Sequence, residues 1–324
     1  VVLILNTQKK RDKALNLWKE GKTMNHGFEL PSRCHENFER LRTLEYLPKT
    51  HLDFLECIFQ AHYQAKDRLA EEKIYTPPAY SRVQEMLSQG EPLISFDQMK
   101  IRIEPLRDHF IEVSSILKKY GHSASARMEA LIRSEGADRL DLEELICKTL
   151  SPDPNYLLRV SQRFELEVNT LEFIALTLAR PLFELAAAEV KDLLADYPWW
   201  KNYCPACGGT PFMAKIRAED GMRLLRCSLC AVEWKFDRVK CPFCNSGEQK
   251  NLKFFYYHES SPYRLYVCDS CKRYIKCVDE RKMNQAPATI DLAIEDIATL
   301  YFDLLARERG YLPLSLLGGT AGGQ

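Results

Sequence analysis

The apolar positions of this chain follow two rhythms. Through about residue 198 they recur every three or four places, the mark of one face of a helix. Leu52, Leu55, Ile58, Phe59 and Tyr63 form one such stripe, and Leu106, Phe110, Val113, Ile116 and Leu117 another. A third runs Leu171, Ile174, Leu178, Leu182, Leu185 and on to Val190 and Leu194. Thr50 is placed to cap the helix containing Asp53. Pro105 stands near a helix start, where its missing N–H costs nothing, and Gly121 suits a helix end. Thr76-Pro77-Pro78 and Glu91-Pro92 mark loops, and Pro152 and Pro154 break the chain before Tyr156. Pro181 lies inside the third stripe and predicts a kink or a break there.

Past Tyr197-Pro198-Trp199-Trp200 the rhythm shortens to β-type runs separated by turns. From about Ala288 the helical spacing returns. Ile290, Ala293, Ile294, Ile297, Leu300, Tyr301, Leu304 and Leu305 predict one amphipathic helix to about Glu308, ended by Gly310. The Gly-rich tail 318–324 is expected to be disordered. The expected architecture is multidomain α+β: a helical domain over 1–198, small modules over 199–240 and 241–286, and a C-terminal helix with a flexible tail over 287–324.

The β-type region carries the chemistry. Eight of the 12 cysteines form four Cys-x-x-Cys knuckles within 68 residues: Cys204/Cys207, Cys227/Cys230, Cys241/Cys244 and Cys268/Cys271. The two intervening residues let both sulfurs face one ion at about 2.3 Å. The region is a duplication. Each copy reads knuckle, hairpin, knuckle, aromatic strand, with strands expected over 211–217, 222–226 and 232–236, then over 252–257, 263–267 and 274–278. The knuckles of a pair are separated by 19 residues in the first copy and 23 in the second. Each copy therefore holds its own four thiolates. The expected sites are Cys204, Cys207, Cys227 and Cys230 in one, and Cys241, Cys244, Cys268 and Cys271 in the other. The rival is a cross-brace pairing the first knuckle with the third and the second with the fourth.

Pro205 and Pro242 fix φ just after the first ligand. Gly208 and Asn245 follow the second ligand, and both tolerate the left-handed backbone that turns N–H groups toward sulfur. Four sulfurs suit zinc or a single iron and fill a tetrahedron, so hydrolytic metal catalysis is not expected. Cys34, Cys57 and Cys147 are isolated and read as packing residues. Cys277 is a leftover thiol on the last strand. The remaining histidines lack ligand spacing, and His258 is expected to face solvent.

Composition narrows the classes. The 324 residues are 46% hydrophobic and 28% charged, with formal net charge zero. No apolar run approaches the ~18 residues of a membrane span. Val1-Val2-Leu3-Ile4-Leu5 is too short for a signal segment. The chain opens without Met, so an upstream piece is expected. Clustered thiols in a reducing cytoplasm read as metal ligands. Residues 201–286 hold 16 Lys/Arg and 9 Asp/Glu. Once eight thiolates and two divalent ions are counted, that surplus of charge falls to about +3, a weak basis for nucleic-acid binding.

Tyr203-Cys-Pro-Ala-Cys-Gly-Gly-Thr-Pro211, Leu225-Arg-Cys-Ser-Leu-Cys-Ala-Val-Glu-Trp234, Arg238-Val-Lys-Cys-Pro-Phe-Cys244 and Val267-Cys-Asp-Ser-Cys-Lys-Arg-Tyr-Ile-Lys276 resemble the FdhE-type formate dehydrogenase accessory proteins. Ala293–Leu300 and Glu308-Arg-Gly-Tyr311 are similar to that family too. The match is specific over about 198–312. All eight knuckle cysteines fit the pattern; Ala231, Asn245 and Lys272 are looser positions. The resemblance implies a cytoplasmic, non-catalytic protein with a helical domain and two rubredoxin-like modules, each binding an ion, iron more than zinc. It implies a role in maturing molybdenum- or tungsten-dependent respiratory formate dehydrogenases, with their catalytic subunit as partner. Trp199, Trp200 and Trp234 are the candidate contacts, since large aromatics dominate binding hot spots, and core packing between domains is the other and stronger reading of each. The alternative is a rubredoxin-like electron-transfer or redox-sensing protein.

Overall fold

The computed structural model describes residues 2–4, 31–71, 73–121, 125–132, 140–151, 153–195, 197–284 and 290–313. The expected disordered tail 318–324 lies outside them. The chain divides into two compact units. One comprises Ala14–Thr76 and Ile94–Glu189; the other comprises Val1–Lys13, Pro77–Leu93 and Val190–Gln324. The segment 77–93, helical in character, thus clusters with the cysteine-rich part.

The first unit is helical. Its elements are α1 (Ser32–Arg42), α2 (Lys49–Leu69), α4 (Ile103–Tyr120), α5 (Ser125–Ile132), α6 (Leu142–Leu150), α7 (Pro154–Phe164) and most of α8 (Val168–Leu194). α2 buries Leu52, Ile58, Ala61, Ala65 and Leu69 along one stripe. It packs against α4, where Arg68 grips Glu112 with two bonds of 2.8 Å. Asp141 and Asp153 cap α6 and α7 by accepting from Glu144 N and Tyr156 N. Pro154 opens α7 rather than merely interrupting the chain, since the first turn needs no N–H from it. The cap expected at Thr50 is not formed. α2 starts two residues earlier than that cap would place it, at Lys49 behind Pro48, and the Thr50 hydroxyl is buried within the helix.

Of the kink or break expected at Pro181, the break does not occur: α8 is continuous over 27 residues. Proline removes the N–H that would bond the carbonyl four residues back, here Thr177 O. That carbonyl has another partner. His109, fully buried on α4, places Nε2 at 3.2 Å from Thr177 O, and a carbonyl can only accept. The Thr177 hydroxyl bonds Phe173 O at 2.7 Å, supporting the preceding turn. An imidazole thus stands in for the missing amide.

The second unit is built on a sheet. Among the described residues it has seven strands in the order β1-β5-β6-β7-β2-β3-β4. They are β1 (Val2–Ile4), β2 (Pro211–Ile216), β3 (Arg223–Cys227), β4 (Glu233–Lys235), β5 (Leu252–Tyr256), β6 (Tyr263–Cys268) and β7 (Arg273–Asp279). Each cysteine repeat supplies an antiparallel trio, β2-β3-β4 or β5-β6-β7. The trios join edge to edge: β7 pairs with β2 in parallel, with Cys277 opposite Ala214. The two repeats therefore share one sheet. The unit also holds α3 (Tyr80–Gln89), α9 (Leu292–Ala298) and α10 (Leu300–Glu308).

α9 and α10 cover the sheet. Leu292 meets Met213 and Val278 over the seam, while Phe302, Ala306 and Tyr311 pack on Phe255, Leu265, Val267 and Tyr274. The single helix expected from the spacing is divided at Thr299. The Asp296 carbonyl, which would accept from Leu300, is taken by Lys276 Nζ at 2.8 Å and by Thr299. The Thr299 hydroxyl also holds Glu295 O at 2.7 Å, and its backbone leaves helical geometry. No helix among the described residues is long and apolar enough to cross a membrane.

The His109 arrangement is testable. His109→Leu should cost about 1–3 kcal/mol, the penalty of a stranded buried carbonyl. In a Pro181→Ala background, where the amide returns, the loss should be much smaller. A urea-unfolding double-mutant cycle reads the difference, and additive losses would disprove the substitution of one donor for the other. Burial lowers the His109 pKa from its ordinary 6.5. The fold therefore keeps His109 neutral while the unfolded chain takes up a proton. Its contribution should be complete above about pH 6.5 and be lost as pH falls below that value.

Candidate metal centres

The knuckles lie at the strand ends, and the turn after each second cysteine makes them. The residue that follows it is left-handed in all four: Gly208 (φ 73°), Ala231 (φ 61°), Asn245 (φ 57°) and Lys272 (φ 55°). Gly208, Asn245 and Lys272 donate back to the carbonyl of the first cysteine of their knuckle at 2.9, 3.0 and 2.9 Å. Cys204, Cys227 and Cys241 donate in turn to the carbonyl five residues on, at 2.8, 2.9 and 2.9 Å. Inside the turns Leu229 N and Phe243 N point at Cys227 Sγ and Cys241 Sγ, each at 3.4 Å. Glycine or asparagine adopts this backbone readily; alanine and lysine do so at a cost of roughly 1–2 kcal/mol. Their presence at two of four equivalent places shows the conformation belongs to the knuckle rather than to the residue.

The sulfurs come together in the sequential pairing. Cys204, Cys207, Cys227 and Cys230 form one group and Cys241, Cys244, Cys268 and Cys271 the other, all sulfurs of a group within 4.8 Å of one another. The cross-brace is not formed. Contacts across the knuckles are 3.5 Å for Cys204–Cys230 and Cys207–Cys227, and 3.7 Å for Cys241–Cys271 and Cys244–Cys268. A tetrahedral ion with bonds of about 2.3 Å sets its sulfurs about 3.8 Å apart. All of these thiols are free.

The electrostatics call for a cation. Hydrogen bonding with Cys204 and its other neighbours pushes Cys207 well up, and burial pushes Cys230 well up. Burial works against ionising Cys227, yet bonds from Cys204, Cys207 and Cys230 hold it as the thiolate. In the second group the Cys271 contact raises Cys241, and burial takes Cys244 to about 11. Four thiolates at this spacing repel one another and require a positive ion at their centre. The all-sulfur donor set fits zinc or iron.

The two groups differ in access. Cys204, Cys227 and Cys230 are buried, and only Cys207 of the first group is partly open. In the second, Cys244 is exposed and Cys271 partly so. Several residues that spacing alone did not single out brace these groups. Gly209 gives room for sulfur, since a Cβ there would come within 2.9 Å of Cys227 Sγ and 3.2 Å of Cys207 Sγ. The loop after α3 supports the first knuckle, with Tyr203 Oη donating to Gly90 O at 2.8 Å and Leu93 N to Pro205 O at 3.3 Å. Asn202 reaches the other group, donating to Phe243 O at 2.9 Å. Buried Arg223 donates to Asp237 O and, at 2.6 Å, to Lys240 O, which fixes the linker entering Cys241. Asp269, inside the fourth knuckle, accepts from Tyr311 Oη at 2.7 Å and from Lys253 and Lys272. The doubled glycine was the one legible sign; the others depend on contacts far apart in the chain.

The remaining thiols and tryptophans sort themselves. Cys277 is buried at the seam, and burial raises its pKa to about 12. Cys34 is buried and Cys57 partly buried, but Cys147 is exposed, contrary to the expectation of packing. Trp199 and Trp234 are each 4% exposed, their indoles donating to Tyr203 O and Lys201 O, so as folded they offer no ring to a partner. Trp200 remains 49% exposed. His258 faces solvent.

Two tandem knuckle–hairpin repeats sharing a sheet, each gathering four thiols, define a two-centre metal–thiolate protein with a helical unit attached. Family models described as FdhE, central domain, and FdhE, C-terminal domain, match residues 203–238 and 239–316, so this part of the chain belongs to the FdhE family. It is 27% identical over 264 residues to a protein FdhE homolog of Aquifex aeolicus, covering 81% of this chain and 85% of the relative. A protein FdhE of Escherichia coli is 33% identical over 127 residues, 38% of each chain. The fold is shared with the crystal structure of the FdhE protein from Pseudomonas aeruginosa, at a TM-score of 0.55, 23% identity and coverage of 91% of this chain and 99% of that one.

Metal retention should track this geometry. Under a chelator the more exposed second group should release its ion first, read by metal analysis at successive times with Cys244 and Cys207 alkylation as site markers. Gly209→Ala should weaken retention at the first group alone. Cys277→Ser should leave metal content unchanged, and loss of an ion would make that thiol a ligand.

Proposed function

We propose that this chain is a non-catalytic accessory factor, acting in the cytoplasm, that docks on the catalytic subunit of a respiratory formate dehydrogenase during its maturation. One iron or zinc ion sits in each group, held by Cys204, Cys207, Cys227 and Cys230, and by Cys241, Cys244, Cys268 and Cys271. The main support is the fusion of two saturated four-sulfur groups into one sheet within the part of the chain that belongs to the FdhE family. Four thiolates complete a tetrahedral ion and leave it no position for a substrate. What such a centre supplies is rigidity: it clamps two turns and fixes the strands that grow from them.

The side chains best placed to use that rigidity are exposed on the same unit. Trp200 follows buried Trp199 directly and precedes the first knuckle, so its backbone is anchored while its ring is half open. A rigidly held, exposed tryptophan binds at small entropic cost. A second reading, electron transfer or redox sensing, is favoured by Cys244, whose exposure brings a sulfur of the second group to the surface. It requires iron and a reversible one-electron change.

Affinity capture from anaerobic native cytosol, with metal analysis of the recovered complex, tests the accessory reading. A formate dehydrogenase catalytic subunit should co-purify. Trp200→Ala should weaken capture by roughly thirtyfold, about 2 kcal/mol, with metal retained. Cys204→Ser should lose one ion and capture together. Recovery of no dehydrogenase subunit would sink the accessory role, and a Cys204→Ser protein with both ions would mean the first ligand set is wrong. Visible absorbance that bleaches and returns with reductant and oxidant would support the redox reading; a colourless zinc protein would remove it.

A further inference from the structure

A cleft of about 610 Å³ lies beside the second group, with Cys241 and Cys268 in its lining. Among the described residues, six cationic side chains line it, Arg223, Arg238, Lys240, Lys253, Arg264 and Arg273, and no carboxylate does. Phe243, Phe254 and Tyr266 add ring surface. The Phe254 and Tyr266 rings lie 5.7 Å apart, and the Arg264 guanidinium sits 5.3 Å over Phe254.

Part of this charge has an internal use. Lys240 faces Asp237 at 3.7 Å, Lys253 faces Asp269 at 2.6 Å and Arg264 faces Asp279 at 3.8 Å. Four thiolates around a divalent ion leave an anionic group that balances more. Arg223 and Arg238 are placed differently. Arg238 donates to the Gly221 carbonyl at 3.3 Å. Arg223 is 2% exposed, donates to the Asp237 and Lys240 carbonyls and stacks over Phe236, and its Nε has no hydrogen-bond partner. A buried guanidinium with an idle donor and no ion pair within 4.0 Å among the described residues is costly unless an anion completes it.

We infer that this cleft binds a small anion bearing a flat ring, of the nucleoside phosphate class, its phosphates on the Arg223 and Arg238 side and its ring against Phe254 and Tyr266. The volume falls within the range of small-molecule sites, roughly 300–1,000 Å³. Guanidinium groups suit phosphate oxygens, and aromatic faces suit a base. A run of acidic residues would satisfy the charge but leave the ring surface unmatched. The inference stands independently of the accessory role.

Isothermal titration calorimetry of the metal-loaded full chain with ATP tests it, with metal content measured before and after. One-site saturable binding is expected, at least tenfold tighter than for tripolyphosphate or adenosine alone. Arg238→Gln and Phe254→Leu should each lower affinity at least tenfold while metal content and Tm stay unchanged. Both side chains lie outside the knuckles, unlike Arg223, whose loss would release the linker. Absence of binding at millimolar ATP would overturn the inference, as would affinity indifferent to both substitutions. Binding of a deca-glutamate peptide without binding of ATP would also overturn it and assign the cleft to an acidic protein segment.

Discussion

Four sulfurs must converge on one point from two turns, and that demand organises the cysteine-rich unit. The sulfurs meet only because the chain swings left-handed after each second cysteine. Where glycine or asparagine stands there, the swing is nearly free; at Ala231 and Lys272 it is held against preference. Small hairpin repeats of this size bury too little apolar surface to hold such turns unaided, and an ion in each group would contribute roughly 10–16 kcal/mol. The same demand reaches outward. Gly209 has no side chain because two sulfurs need its space, and Asp269 inside the fourth knuckle is tied to Tyr311 beyond the last helix.

Between helices and sheet the polar groups are paired rather than avoided. Lys276, buried in β7, meets Asp296 at 2.7 Å and Asp303 at 2.6 Å. Burial disfavours its charge, but the two carboxylates prevail and its pKa rises. Tyr274 donates to Asp303 at 2.7 Å, and Tyr263 to Glu295 at 2.6 Å. Removing one partner would strand the others, so these contacts set where α9 and α10 lie on the strands. The division at Thr299 is the visible result: a lysine from the sheet claims a carbonyl the helix needed.

What was legible in the chain was local. The Cys-x-x-Cys spacing, the hairpin turns and the left-handed positions at Gly208 and Asn245 act over a few residues, so their types declare them. The duplication decided which knuckles pair, because each repeat is self-sufficient in ligands. The stripes of α2 and α8 were readable for the same reason. Contacts across long separations were not. Pro181 looks like a breaker until His109, 72 residues earlier, supplies the donor. Trp199 and Trp234 resemble recognition residues until their indoles are seen facing backbone carbonyls. Nothing in either repeat announces that β7 will lie beside β2, since a parallel seam has no turn to mark it.

That seam has a consequence for biogenesis. The first repeat ends its own hairpin with β2 bare along one side, and the partner for that side is the last strand of the second repeat. A ribosome adding about 5–20 residues per second needs several seconds to travel from Ile216 to Asp279. Throughout that interval the nascent chain presents an open strand of Pro-Phe-Met-Ala-Lys-Ile to the cell, the kind of edge that recruits unwanted neighbours. Whatever guards the newborn polypeptide must act within that window, because once residue 279 has emerged the molecule can shield itself.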